Sequence, residues 1–175
     1  MKFRETPLRG AFLVELERIE DQRGFFARSF CRDEFTAHGL SAVVAQCNVS
    51  WNRFRGTLRG MHYQASPYQE AKLVRCTRGA IWDVIIDLRP TSSTYLRWYA
   101  HELSANNRIG LYVPQDFAHG FQTLIDDSEV LYYMSESHHP ESARGLRWDD
   151  PKLAIPWPVS QPTVSERDRA YPLLP

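Results

Sequence analysis

The sequence predicts an all-β protein, a β-barrel or sandwich of the jelly-roll type with one short helix and an extended C-terminal arm. Three observations support this fold class. Apolar and polar residues alternate with a period of two, the alternating runs are short and rich in β-branched and aromatic residues, and turn-forming residues separate them. Short strands at this spacing are typical of sandwiches and barrels.

Ten segments have the strand pattern: residues 11–19, 24–30, 42–51, 57–64, 70–77, 80–88, 95–103, 108–113, 120–125 and 129–134. Turn residues separate them at 21–24, 89–93, 106–107 and 126–127. Only residues 32–38 have a helical pattern, with Asp33 as a possible N-cap and Gly39 after the end. Six of the eleven prolines lie in residues 149–175, so we expect this segment to be an extended arm over the barrel.

Length and charge limit the possible partners. The 175 residues fit a single domain spanning 1–175, and 21 basic residues balance 21 acidic ones. This balance argues against non-specific binding to nucleic acid or to an anionic membrane, and no apolar run is long enough to span a bilayer. The charged start does not resemble a signal peptide. The three widely spaced cysteines are expected to be reduced thiols in a cytoplasmic protein.

His62 lies near the end of the predicted strand 57–64. Strand periodicity places Leu58, Gly60, His62 and Gln64 on one face. If this face lines the barrel, His62 points into a cavity, and Gly60 leaves room beside it. An inward histidine is more often a core residue with its hydrogen bonds made than a functional residue. The role of His62 therefore has to be judged from the residues around it.

Lys72 is predicted to face inward on the following strand, because it shares periodicity with the apolar Val74 and Cys76. A buried ammonium group without a partner is costly. Asp83 interrupts the next apolar run, and we therefore expect it to be the counter-ion of Lys72. An inward lysine and aspartate are weak evidence that an ion pair stabilises the fold, but fair evidence that the residues belong to a functional site.

His119 and Tyr132 add a second imidazole and a phenol. Tyr132 shares strand periodicity with Val130 and Met134, so it is also expected to face the core, although most strand tyrosines serve packing. Together with His62 and Lys72, these residues would place a base, a cation and a phenolic acid in one barrel.

This set of groups suits proton abstraction next to a carbonyl. A neutral imidazole can act as the base near pH 7, and Lys72 or His119 can stabilise the enolate oxygen. Inversion of a stereocentre requires an acid on the opposite face, which Tyr132 can supply. A carboxylate should hold the second nitrogen of the imidazole, and Asp168 is the candidate if the arm folds back to the cavity.

The chain resembles the dTDP-4-dehydrorhamnose 3,5-epimerases of the cupin superfamily over nearly its whole length. The resemblance depends on an ordered set of motifs: DQRGFF at 21–26, QCNVS at 46–50, LRGMHYQ at 58–64, KLVRC at 72–76, DVIIDLR at 83–89, FAHGF at 117–121, WDDP at 148–151, IPWP at 155–158 and SERD at 165–168. It implies a cupin-type barrel that epimerises a nucleotide-activated 4-keto-6-deoxy sugar at carbon 3, carbon 5 or both.

The resemblance also implies individual roles. His62 would remove the protons, Asp168 would pair with His62, Tyr132 would supply a proton from the other face, and Lys72 would stabilise the enolate. The implied substrate contacts are Arg23, Phe26, Gln46, Asn48, Arg59, Asp83, His119, His138 and Arg167. Family members are homodimers without metal or cofactor, and the early strands of one subunit reach the site of the other.

Arg59 and His62 have opposite strand periodicity. Both can therefore reach one ligand only if the chain bends between them, for which Gly60 is the candidate.

Four residues depart from the usual family pattern. Arg28 and Ala143 stand where glutamates are common, Glu70 replaces a frequent glutamine, and His138 occupies the position of a second active-site tyrosine. The first two leave open which nucleotide is carried. His138 leaves open whether one or both carbons are inverted.

Two alternative functions remain at this point. A metal-dependent cupin could use His62, Glu70 and His119, but Gln64 replaces the second histidine of the usual His-x-His pattern, and Lys72 adds unfavourable charge. A non-catalytic barrel that binds sugar nucleotides is the other alternative, although binding alone does not need a His–Asp pair and a tyrosine acid.

Overall fold

The computed structural model describes residues 1–175 and contains fourteen strands and two short helices. The elements are β1 Lys2–Glu5, β2 Phe12–Glu15, β3 Ile19–Asp21, β4 Gly24–Phe26, α1 Arg32–Ala37, β5 Gln46–Asn52, β6 Thr57–Gln64, β7 Lys72–Arg78, β8 Ala80–Asp87, β9 Trp98–Ser104, β10 Gly110–Val113, β11 Phe117–Thr123, β12 Ser128–Met134, β13 Ala143–Gly145, β14 Thr163–Val164 and α2 Glu166–Ala170. The predicted all-β jelly-roll class is confirmed.

Two sheets form the body of the molecule. The first has the strand order β1-β2-β10-β7-β12-β5, and the second has the order β13-β6-β11-β8-β9. Strand β14 adds to the second sheet in parallel with β6, whereas the other pairings are antiparallel. Strands β3 and β4 form a separate hairpin. Because β7 and β8 lie in different sheets, neighbours in sequence are not neighbours in the barrel.

The main core lies between the sheets, where the inward residues of both meet; its largest members include Leu13, Ile85, Phe117 and Phe121. Phe35 of α1 covers the outer face of the first sheet. The C-terminal arm covers the outer face of the second, where it packs on residues of β6, β8 and β11. Burying these three apolar surfaces favours closure of the barrel and docking of the arm.

The arm follows the course expected from its prolines but is not wholly extended. The Gln122 side chain donates to Val159 O and accepts from Val159 N, both at 2.9 Å. Helix α2 then begins after Ser165, whose Oγ accepts from Asp168 N at 3.1 Å. The expectation of a single helix is therefore wrong, because a side-chain cap and the docked arm stabilise a second one of five residues.

Other boundaries also differ from the predictions. Strands β1, β13 and β14 had not been predicted; β1 and β13 are edge strands of the two sheets, and β14 pairs with β6. Helix α1 is capped by Cys31 rather than Asp33, without a side-chain cap hydrogen bond. The predicted strand 120–125 begins earlier, at Phe117, which places His119 within β11. Neither helix has the length and hydropathy of a membrane-spanning helix.

Candidate active site

A cavity opens between the sheets and has three adjoining lobes, all lined by His62. The inner lobe, of about 270 Å³, is lined by Asn48, Val49, Ser50, Arg59, His62, Lys72, His119, Phe121, Tyr132 and Met134. The outer lobe, of about 200 Å³, adds Gln46, Tyr63, Gln64, Glu70, Glu136, His138, Ala143, Arg144 and Arg167. The side lobe, of about 430 Å³, lies between β6 and the arm.

The arm brings Asp168 to His62, as expected. His62 Nε2 lies 2.7 Å from Asp168 Oδ1, and Gly60 N donates to Asp168 Oδ2 at 3.2 Å. The Asp168 side chain is buried, whereas the His62 side chain is 43% exposed. The pair therefore has a fixed carboxylate behind an imidazole that solvent and ligand can reach.

The charge of Asp168 determines which nitrogen of His62 is available. Burial alone would raise the pKa of Asp168, but hydrogen bonds from His62 and Gly60 N lower it below its ordinary value. Because an ionised carboxylate only accepts hydrogen bonds, Nε2 carries the hydrogen. Nδ1 then keeps its lone pair, and it makes no hydrogen bond within the chain. His62 can thus act as a base through Nδ1.

The predicted bend at Gly60 is present. His119 of β11 pairs with His62, but Phe121 pairs with Arg59, so β6 has one extra residue across this interval. Gly60 has φ +140°, and a Cβ there would lie 2.6 Å from Gly120 Cα. The bulge reverses the strand periodicity, and Arg59 and His62 both line the inner lobe.

Lys72 faces the cavity, but its predicted counter-ion is wrong. Lys72 Nζ pairs with Glu70 Oε1 at 3.0 Å, and both side chains are buried. Asp83 is on β8 in the other sheet, where it pairs with His119. Lys72 and Asp83 lie on strands that are consecutive in sequence, but β7 and β8 are not neighbours in a sheet. Glu70, which had been noted as a departure from the family and as a candidate metal ligand, is the partner of Lys72.

His119 and Asp83 form a second, deeply buried pair. His119 Nε2 lies 2.8 Å from Asp83 Oδ1, and the side chains are 5% and 0% exposed. His119 lines the inner lobe, whereas Asp83 lies behind it and lines none of the lobes. Asp83 can therefore influence a ligand through His119, rather than by the direct contact that had been expected.

Tyr132 lies beside this buried pair. Its ring is edge-on to that of His119, with centroids 6.1 Å apart, and it lines the inner lobe with His62. Burial, and secondarily the charge of Asp83, raise the pKa of Tyr132 above its ordinary value. The phenol therefore stays protonated at neutral pH, as a proton donor requires.

Four predicted contact residues line the outer lobe: Gln46, Asn48, His138 and Arg167. Gln46 joins two of them, because its Oε1 accepts from His138 N at 2.9 Å and its Nε2 donates to Asn48 Oδ1 at 3.2 Å. Arg167 also borders the side lobe. Ala143, one of the departures from the family, lines the same outer lobe.

Arg23 and Phe26 are not brought to the cavity of their own chain. Both lie on the β3–β4 hairpin, where Phe26 is 74% exposed and the Arg23 side chain is 85% exposed. Arg28 follows this hairpin, and its Nη1 donates to Glu34 Oε1 at 2.6 Å. None of the three residues lines a lobe of the cavity.

One residue that sequence reasoning missed is Asn52, which is 2% exposed. Its Oδ1 accepts from Arg59 Nε at 2.8 Å, and its amide donates to Ser128 O, so it orients Arg59. The signal was present in β5, where the alternate residues Gln46, Asn48, Ser50 and Asn52 are all polar.

The three residues considered as metal ligands have separate partners. His62 pairs with Asp168, Glu70 with Lys72, and His119 with Asp83. No group of three His, Cys, Asp or Glu side chains converges in a manner suited to a metal ion.

Comparison with known proteins points to one family. The family model described as dTDP-4-dehydrorhamnose 3,5-epimerase matches residues 5–175. A solved dTDP-4-dehydrorhamnose 3,5-epimerase from Bacillus anthracis, with TDP and PPi bound, is 42% identical, covers 99% of both chains and has a TM-score of 0.96.

Two further solved structures carry sugar nucleotides. A 3,5-epimerase from Legionella pneumophila in complex with dTDP-4-keto-L-rhamnose is 34% identical, with a TM-score of 0.92 over 98% of this chain and 92% of that one. A 3′-monoepimerase from Streptomyces bikiniensis in complex with dTDP-quinovose is also 34% identical, with a TM-score of 0.89 over 96% and 85% of the two chains.

Proposed function

The chain belongs to the dTDP-4-dehydrorhamnose 3,5-epimerase family, and from this premise we propose that it epimerises a dTDP-activated 4-keto-6-deoxy sugar at carbon 3, carbon 5 or both. The observation that carries the proposal is the His62–Asp168 pair, whose imidazole borders every lobe of the cavity and has Nδ1 free.

The first step is proton abstraction next to the carbonyl at carbon 4. His62 Nδ1 takes the proton from carbon 3 or carbon 5. The C–H electron pair forms a C=C bond to carbon 4, and the electrons of the C=O π bond move onto the oxygen, which gives the enolate. Nε2–H remains on Asp168, which stabilises the imidazolium that forms. The buried Asp168 thus supports the charge without itself taking the proton.

The enolate oxygen needs positive charge or hydrogen-bond donors that are already in place. Lys72 lines both the inner and the outer lobe, and its pairing with Glu70 fixes the ammonium group there. His119, held by Asp83 through Nε2, lines the inner lobe beside it, and its Nδ1–H can stabilise the enolate oxygen when the ring is doubly protonated. Both are anchored before substrate arrives, so little reorganisation is needed in the transition state.

The second step places a proton on the opposite face of the same carbon. Tyr132 donates it as the carbonyl re-forms, which inverts the centre. Solvent exchange then restores the neutral imidazole and the phenol. The support for this role is that Tyr132 is protonated and shares the inner lobe with His62 on the facing sheet.

The diphosphate requires cations at the cavity entrance. Arg59 and Arg167 lie on β6 and α2 and both border the side lobe. A guanidinium group suits phosphate because its planar N–H groups can bind two oxygens. We assign the sugar to the inner lobe and the diphosphate to these arginines. Gln46, Asn48 and His138 border the outer lobe.

We also infer a homodimer in which the β3–β4 hairpin reaches the partner's cavity. The hairpin exposes Ile19 (70%) and Phe26 (74%), and β5, an edge strand, exposes Val49 (62%). Apolar side chains at these positions favour an interface. Arg23 and Phe26 would then serve the partner's site, which explains their distance from their own. The three unpaired cysteines fit a cytoplasmic location.

Mixing two inactive variants tests this shared site. His62→Ala and the double variant Arg23→Ala/Phe26→Ala should each be impaired, yet mixed dimers contain one intact site. Co-refolding should restore about a quarter of the wild-type activity, since about half of the dimers are mixed and each has one working site of two. No recovery, or a monomer in analytical ultracentrifugation, would contradict the shared site.

The proposed reaction is tested by NMR of dTDP-4-keto-6-deoxyglucose in deuterated water with the protein. We expect deuterium at carbon 3, carbon 5 or both, and the number of labelled carbons gives the number of centres attacked. Matched UDP and GDP sugars report the nucleotide preference. Binding without any labelling would mean a non-catalytic barrel, and labelling that stops with a chelator would favour a metal enzyme.

A further inference from the structure

Tyr171 lies immediately after α2, between the proposed base and a proposed diphosphate contact. Its ring is edge-on to His62, with centroids 6.0 Å apart and an interplanar angle of 64°. Its hydroxyl oxygen accepts from Arg167 Nε at 3.0 Å. One half-buried side chain thus contacts two residues that belong to different parts of the site.

The opposing strand has a space that this ring fills. Gly145 of β13 is the cross-strand partner of His62. A Cβ on Gly145 would lie 2.3 Å from Cε2 of Tyr171, closer than any real contact. The absence of a side chain at Gly145 therefore allows the Tyr171 ring to pack next to His62.

We propose that Tyr171 is a positioning residue, which holds the His62 ring and the Arg167 guanidinium at a fixed distance from each other. This inference rests on the proposed function. Asp168 fixes only one edge of His62, and a single hydrogen bond leaves the ring free to rock about that contact. The Tyr171 ring limits this motion from the side.

The hydroxyl of Tyr171 has a separate effect on Arg167. The Arg167 side chain extends from an exposed position on a helix of five residues, where little else orders it. Donation to Tyr171 lowers the rotamer freedom that ligand binding would otherwise have to remove. The ring should therefore affect the chemical step, and the hydroxyl should affect binding.

Two variants separate these effects. Tyr171→Phe keeps the ring, so KM and the Kd for dTDP should rise about 3- to 10-fold while kcat changes less than about twofold. Tyr171→Ala removes the ring as well, so kcat should also fall about 10- to 100-fold through loss of orientation. Tyr99→Phe is the matched control, because its hydroxyl lies on β9 and contacts only His101, at 3.4 Å.

Gly145→Ala supplies an independent test by a double-mutant cycle. The added methyl group should displace the Tyr171 ring and lower kcat as Tyr171→Ala does. In the Tyr171→Ala background the same change should have little further effect, because the methyl group then has room. Additive losses, or an equal change of kcat and KM in both Tyr171 variants, would overturn the proposal.

A substrate-independent measurement separates this inference from the proposed reaction. Long-range ¹H–¹⁵N spectra of His62 should show the Nε2–H tautomer in the wild type and in Tyr171→Phe, and tautomer averaging in Tyr171→Ala. If the wild type binds dTDP but has no activity, the proposed function fails while this test still stands. If the wild type is active and the spectra are identical in all three proteins, the positioning role fails alone.

Discussion

Two His–Asp pairs lie side by side in this molecule, His62 with Asp168 and His119 with Asp83. The two histidines are directly opposite each other on β6 and β11, and their N–O distances are 2.7 and 2.8 Å. Asp83 comes from β8 in the same sheet, whereas Asp168 comes from the C-terminal arm. The His62 side chain is 43% exposed and the His119 side chain only 5%.

Because the two pairs have nearly the same N–O distance, hydrogen-bond geometry alone does not distinguish a base from a fixed donor. A base must release its proton to solvent or substrate after each turnover, which requires access. A group that stabilises an enolate is most effective when it is dry and rigid. His62 has the access and His119 has the burial, so we assign base catalysis to the first pair and electrostatic stabilisation to the second.

The largest expected difference between the pairs is in the histidines themselves. His62→Gln should lower deuterium exchange into the sugar by at least about 10³-fold, because no other free base lies at its position. His119→Gln should lower it by about 10- to 100-fold, since Lys72 still stabilises the enolate. NMR exchange rates measure both. Equal losses would mean that the two pairs do not have separate roles.

Removing the charge of each carboxylate is a milder change. Asp168→Asn should lower kcat by about 10- to 10⁴-fold through a wrong tautomer and a looser ring, with a smaller loss of unfolding free energy than Asp83→Asn. Asp83→Asn should instead lower the free energy of unfolding, by about 1–3 kcal/mol, because this buried group pairs with His119. Steady-state kinetics and urea unfolding of both variants test the contrast. An unchanged rate in Asp168→Asn would show that the arm does not support the base.

A change at Tyr132 should affect reprotonation more than proton abstraction, because His62 is the proposed base and Tyr132 the proposed acid. Tyr132→Phe should lower epimerisation by about 10²-fold yet leave exchange within about tenfold of the wild type, since His62 still removes and returns protons on its own face. Comparing product formation with deuterium uptake in one sample measures this. Tyr133→Phe on the other face of β12 is the control. If both rates fall equally, Tyr132 has a different role.

The smallest expected effect concerns acid stability. The folded-state pKa of Asp168 lies below its ordinary value, so its ionised form stabilises the fold above about pH 4, and this contribution is lost as pH falls further. The difference in unfolding free energy between wild type and Asp168→Asn should therefore shrink below about pH 4. Urea unfolding at several pH values measures it, with the exposed Asp33→Asn as control. If the difference in unfolding free energy instead grew as the pH fell, the assigned direction of the Asp168 pKa shift would be wrong.

The inner strands and the bend of β6 were predictable from the sequence. Thr57–Gln64 has the predicted bounds, because its apolar alternation is strong and turns flank it. The need for a bend at Gly60 followed from periodicity together with the family resemblance, which assigned Arg59 and His62 to one ligand although an unbent strand would point them in opposite directions. In these cases local sequence and sheet geometry require the same structure.

The partners of charged residues were not predictable in the same way. Lys72 is followed in the chain by β8 and Asp83, but the sheet order places β10 and β12 beside it. Its partner is Glu70, two residues away. Helix α2 was missed because the prolines of the arm outweighed the short capping signal at Ser165. Ion pairs that depend on sheet order, and short helices that depend on a single cap, can be identified only from the structure.

The position of Asp168 on the arm determines which functions depend on arm docking. Both sheets are complete by Gly145 except for β14, so nearly all of the barrel is formed by residues that precede the arm. Asp168, the partner of the proposed base, lies on α2, which follows the barrel strands in the chain. Displacing this arm from the barrel would remove Asp168 from the proposed base and Arg167 from the proposed diphosphate site together, so proton abstraction and nucleotide binding depend on the same docked segment.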